Sequence, residues 1–148
     1  MKFKRNSRLN LGLLVDSPFP HPSVKDRNEI CRASLEVVDA VFDLYTDLVL
    51  SGEISRAERL LKAVQKLPKS IQFAFSAENA TEYKNNIEKS LDLLTEARYW
   101  IKEIQMKYQY SSQCDDAVEK VNHLVTVMTY VSGKLNTQNV KATILTIN

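Results

Sequence analysis

Between Ala80 and Tyr108 one apolar row leaves the chain little choice of fold. Tyr83, Ile87, Leu91, Leu94, Ala97, Ile101 and Ile104 follow Ala80 at gaps of three and four. That spacing lasts about seven helical turns, and a strand of period two cannot match it. The row predicts a long amphipathic helix whose apolar face must be covered by other helices. Asn79 can cap its start, with Glu82 three residues on completing a capping box.

The same period marks three more helices. The first is expected from near Ser23, with Asp26 as a variant capping partner, to about Leu50. Ile30, Val37, Val38, Val41, Leu44, Tyr45 and Leu48 mark its inner face, and Glu36, Asp39, Asp43 and Asp47 form an acidic stripe on the other side. Ser51, Gly52 and Glu53 break the pattern. The second helix is expected from Ile54 to Phe75, with Leu60, Leu61, Val64, Leu67 and Ile71 inward. Ser112 with Asp115 can start the last, which Ala117, Val121, Leu124, Val125, Met128, Val131 and Leu135 continue. Four such helices with short connections predict an all-α protein, an antiparallel up-down four-helix bundle with an extended N-terminal arm.

The ends differ from the middle. Lys2, Lys4, Arg5 and Arg8 precede Leu9, Leu11, Leu13, Leu14 and Val15, and Pro18, Pro20 and Pro22 follow. A proline-rich run of this kind is extended rather than helical. Residues 1–25 are therefore expected as an arm and 26–136 as the bundle. Residues 137–148 carry β-type residues without a helix signal and are expected as a frayed or docked tail.

Composition then removes several classes of function. Three glycines in 148 residues leave no room for a glycine-rich phosphate loop. Two cysteines, Cys31 and Cys114, make neither a metal quartet nor a disulfide scaffold. Without a signal peptide or a long apolar run, the expected setting is the reducing cytoplasm, with no membrane contact. His21 lies in the proline run, and His123 stands at or beyond the edge of the last helix's apolar seam. Di-iron bundles use Glu-x-x-His on two helices, whereas Glu119 and His123 are four apart and have no second copy. No nucleophile-elbow motif occurs. The expectation is a protein without catalytic residues, metal or cofactor.

Charge placement supplies the best candidate site. The formal charge is only +2, so any polyanion partner must be held by local clustering. On the second helix Arg56, Arg59, Lys62, Lys66 and Lys69 fall within less than half the circumference, opposite Leu60, Val64, Leu67 and Ile71. Such a row can follow phosphates without reading sequence. Arg32, Lys84, Lys89, Arg98, Lys102 and Lys107 add bases on the neighbouring helices. The same row also fits a solvated face partnered by the acidic stripe of the first helix. Tyr99, Trp100, Tyr108 and Tyr110 gather around the end of the third helix. Aromatics can stack on bases or pack in a protein contact. Tyr99 and Trp100, with Leu11 and Leu13 of the arm, are read as a partner or oligomer interface.

Leu60, Ala63, Leu67, Pro68 and Ile71, followed by Glu82-Tyr83 and then Leu94 and Glu96, resemble a known helical pattern. It is that of the four-helix-bundle family encoded in intervening sequences of bacterial large-subunit ribosomal RNA genes. Leu35-Glu36-Val37 and Leu44-Tyr45 are similar to the family's first helix, and the resemblance spans about residues 33–136. The family's Asn-Ile-Ala-Glu-Gly is replaced by Ser70-Ile71-Gln72-Phe73-Ala74. That departure makes the chain look more like a divergent branch, the accessory variability proteins of diversity-generating retroelements. The resemblance implies a homo-oligomer, pentameric in that branch, that binds RNA or DNA and assists a reverse transcriptase. It also implies that Pro68 bends the second helix over the bundle; a helix ending at Leu67 with a loop beyond is the other reading. The alternative to the accessory function is a protein–protein adaptor with no nucleic-acid binding, docking through the two charged stripes and the arm.

Overall fold

The computed structural model describes residues 21–108 and 111–147. Five helical segments follow in order: α1 (Val24–Leu50), α2 (Ile54–Gln65), α3 (Leu67–Phe75), α4 (Ala80–Tyr108) and α5 (Ser111–Ile147). α2 and α3 together form one edge of a four-helix bundle. Each helix packs on its neighbour in the chain, and α5 closes the ring by packing on α1. The all-α four-helix bundle read from the periodicity is the fold.

Local chemistry sets the helix ends. The Ser23 hydroxyl accepts the Asp26 N–H at 3.0 Å, and Asn79 Oδ1 accepts the Glu82 N–H at 2.8 Å. Both satisfy donors that the first turn of a helix leaves orphaned. At the end of α1 the Gly52 N–H bonds the Val49 carbonyl and the Glu53 N–H bonds the Leu48 carbonyl, at 3.0 and 2.8 Å. This Schellman pattern places residue 52 in the left-handed region, at φ 87°, which glycine adopts without the Cβ penalty.

At Pro68 the second helix is interrupted at one residue and does not open into a loop. α2 stops at Gln65, Lys66 holds a turn at φ −81°, ψ −14°, and α3 begins at once with Leu67. Pro68 thus falls in the first turn of α3, where its missing N–H removes no intrahelical bond. α3 then lies along α4. The Ser70 and Ser90 hydroxyls meet at 2.7 Å, Ser90 is fully buried, and the small Ala74 is buried beside them on α3.

The last helix also departs from expectation. It runs through the residues expected as a tail, to Ile147. Nothing after Leu135 breaks a helix: no proline or glycine follows, and β-branched residues cost only tenths of a kcal/mol each there. Lys134 Nζ bonds Asp26 Oδ2 at 2.7 Å, which fixes residue 134 level with the first turn of α1. The remaining turns of α5 run about 20 Å beyond the level of Lys134.

The core contains the expected seams: Ile30, Val37, Val41, Leu44 and Leu48 of α1, Leu60 and Leu67 of the broken edge, Leu94, Ile101 and Ile104 of α4, and Val121, Leu124 and Met128 of α5 are almost wholly buried. Cys114 is buried among them. Its burial, with Asp115 adding to the effect, pushes the thiol up to about 11.

Candidate nucleic-acid interface

The buried residues Ala57, Leu60, Ala63 and Val64 of α2 and Leu67, Ile71 and Ala74 of α3 define the inner face of this edge. Arg59, Lys62, Lys66 and Lys69 therefore stand on its outer ridge, all exposed. On the α4 side of the ridge runs a trough in two connected parts. Arg59, Lys62 and Lys66 line the first with Leu93, Glu96 and Trp100. Lys66 and Lys69 line the second with Phe73 and, from α4, Asn86, Lys89, Asp92 and Leu93. Lys66 and Leu93 line both parts, so the two adjoin between Trp100 and Phe73.

Four of the five expected bases share this trough, and Lys89 joins them from α4. Arg56 is half-buried one turn before the others. At 100° per residue it lies about 80° round from Lys66, beside the sector of buried Ala63. Of the additional bases, Arg98 turns the other way and donates from Nη1 to Asn122 Oδ1 of α5 at 2.8 Å. Arg32, Lys84, Lys102 and Lys107 are exposed on α1 and α4.

The acidic stripe of α1 does not serve as the partner of this row. Glu36 lies in the groove toward α5 with Lys120 and His123, and Asp47 accepts a hydrogen bond from Gln113 of α5. Among the described residues none of Arg59, Lys62, Lys66 and Lys69 forms an ion pair with a carboxylate. Glu96 and Asp92 are the acids within the trough, against five bases.

Aromatic rings are interleaved with the bases. The Arg59 guanidinium sits over the Trp100 ring at 5.2 Å, and Tyr99 meets Trp100 edge-on at 5.1 Å. Tyr99 is exposed, whereas Trp100 is half-buried and packs against the core. Trp100 is thus a wall of the trough as well as a neighbour of the exposed Tyr99. The Lys69 ammonium stands over Phe73 at 5.7 Å, and Phe73 is 53% exposed. Phe73 is the site residue that the sequence reading missed. The available signal was its place four residues after Lys69, one turn along the same face. Leu11 and Leu13 lie outside the described residues.

None of the described histidines and cysteines lines the trough. His123 is exposed, and the His21 ring donates from Nε2 to the Ala77 carbonyl at 2.7 Å, a structural tie. Among the described residues no three His, Cys, Asp or Glu side chains come together as a metal site. Cys31 is exposed and Cys114 buried, both as free thiols. Among the described residues no helix is long and apolar enough to cross a membrane.

No protein-family model matches the chain, and no curated protein matches it. Among solved structures, a protein of unknown function from the S23 ribosomal protein family of Bacteroides thetaiotaomicron VPI-5482 matches with a TM-score of 0.58. The two are 23% identical, over 70% of this chain and 98% of the other. The likeness is one of fold.

Proposed function

We propose that this protein is a non-catalytic accessory bundle that holds a single RNA or DNA strand along the trough between α2/α3 and α4. On this reading it works as a homo-oligomer, pentameric as in the retroelement branch it resembles, beside a reverse transcriptase or similar polymerase. One observation carries the strand-binding part: two adjoining stretches of trough with five bases, no ion pair on the outer ridge among the described residues, and an exposed ring at one end. Bases of this kind attract phosphates by releasing counterions, and a free ring offers a stacking platform. The similarity of fold to a member of the S23 ribosomal protein family supports the wider setting.

The test is binding of a single-stranded oligonucleotide across a salt series. If all five bases contact phosphates, log affinity falls with log salt at a slope of about −3.5, some 100-fold between 50 and 200 mM. The Arg59→Glu, Lys62→Glu, Lys66→Glu variant leaves Lys69 and Lys89, so its slope should flatten to about −1.4. Equal slopes for both proteins would remove the site. No binding by either would favour the adaptor reading.

A further inference from the structure

Asp92 is out of place in a trough for phosphates. It is exposed on α4 and lines the same stretch as Lys66, Lys69 and Lys89. Among the described residues it forms no ion pair with any of them. A free carboxylate repels a phosphate, so a strand lying here must turn another of its groups toward Asp92.

The hollow at this point measures about 580 Å³, the size of a small-molecule site, and Phe73 and Leu93 supply its apolar surface. The Ser70 hydroxyl lies 2.7 Å from the Ser90 hydroxyl and 3.3 Å from the Asn86 carbonyl, which sets Ser70 of α3 level with residues 86–90 of α4. The two helices are antiparallel, so Phe73 lies about 4.5 Å from that level toward the start of α4, and Asp92 lies on the other side of it. Helical side chains lean toward their own N-terminus. In antiparallel neighbours those leans oppose, so Phe73 and Asp92 converge over Lys69 and Lys89. The Lys69 ammonium, 5.7 Å from the Phe73 ring, marks the same lean.

The small polar groups of the hollow are already engaged. The Ser70 hydroxyl is tied to Ser90 and Asn86, and Asn86 Nδ2 donates to the Glu82 carbonyl at 3.0 Å. The charged groups are ammoniums, which only donate, and the Asp92 carboxylate, which only accepts. Guanine alone among the nucleobases offers a carboxylate two adjacent donors, N1–H and N2–H, with an acceptor, O6, beside them for an ammonium. Adenine and cytosine set a ring acceptor beside their amino group, and uracil sets a carbonyl on each side of N3–H.

We propose that this hollow selects a guanine of the bound strand, its ring on Phe73, N1–H and N2–H on Asp92 and O6 toward Lys89. The assignment rests on the strand-binding reading above and adds a base preference to it. Its probes are a short oligouridine and the same oligomer carrying one central guanosine, inosine or adenosine, compared by fluorescence anisotropy at one low salt concentration. The guanosine oligomer should bind about fivefold tighter than the adenosine one, which presents a purine ring of equal size for stacking. Inosine, which lacks N2–H, should fall between them. Asp92 is exposed, so Asp92→Asn keeps the fold, and it should erase the guanosine preference while the oligouridine still binds. Equal affinities for guanosine and adenosine oligomers, with binding intact, would overturn the base preference and leave the strand reading standing. A preference that survives in Asp92→Asn would overturn the role of Asp92. No binding of any oligomer would overturn both readings together.

Discussion

Phe73→Ala separates stacking from charge in the proposed trough. Phe73 ends the row, half-exposed, with the Lys69 ammonium 5.7 Å from its ring. Its exposed face is what a base would cover. Loss of one base–aromatic stack costs about 1–3 kcal/mol, a drop of roughly 5- to 150-fold in affinity. The phosphate contacts remain, so the slope of log affinity against log salt should not change. The fold should lose little, because Phe73 is not in the buried core and a surface substitution stays within about 0.5 kcal/mol. Fluorescence anisotropy with a labelled single-stranded oligonucleotide at 50 and 200 mM salt reads affinity and slope together, and urea unfolding reads the fold. Affinity within twofold of the parent protein would refute the stacking role. A weakened affinity with a flattened slope would show that Phe73 acts by placing Lys69.

Two further outcomes follow from the fold. The Cys114 thiol is raised from 9.0 to about 11 by burial, so it keeps its proton in the folded chain where the unfolded chain has lost it. Its contribution is fully present below pH 9 and is lost as pH rises toward 11, on the order of 2 kcal/mol. Denaturant titrations should show a smaller loss from pH 8 to 10.5 in Cys114→Ala than in the parent chain, and equal losses would contradict the burial argument. Pro68→Ala should change stability by less than about 1 kcal/mol, because Pro68 sits in a first turn; a gain near 3 kcal/mol would place it in a helix interior instead.

The helices and their caps were legible because their causes are local. Asn79 and Ser23 cap with their own side chains, and a seam such as Ile101–Ile104 needs only the helical period. The break at Lys66 was half legible. Pro68 shows that a helix is disturbed there but not whether the chain leaves its axis. The outcome depends on α4, where Ser90 accommodates Ser70 closely enough for α3 to resume at once. The trough was legible on one wall only. The period of α2 puts its bases on one side, but what faces them depends on the rotation of α4, which presents Lys89, Leu93 and Trp100 to them. That rotation is a property of packing, and no single helix's sequence contains it.

A second apolar sector of α1, at Leu35, Val38, Phe42 and Tyr45, belongs to the same class of information. Val38 and Tyr45 read as inner-face residues because periodicity gives an angle and not an occupant. Only the burial of Ile30, Val37, Val41, Leu44 and Leu48 shows that the bundle covers one apolar sector and leaves Leu35 and Phe42 largely outside it. Tyr45 shares a groove with Arg59 and Lys62, so this sector adjoins the basic ridge.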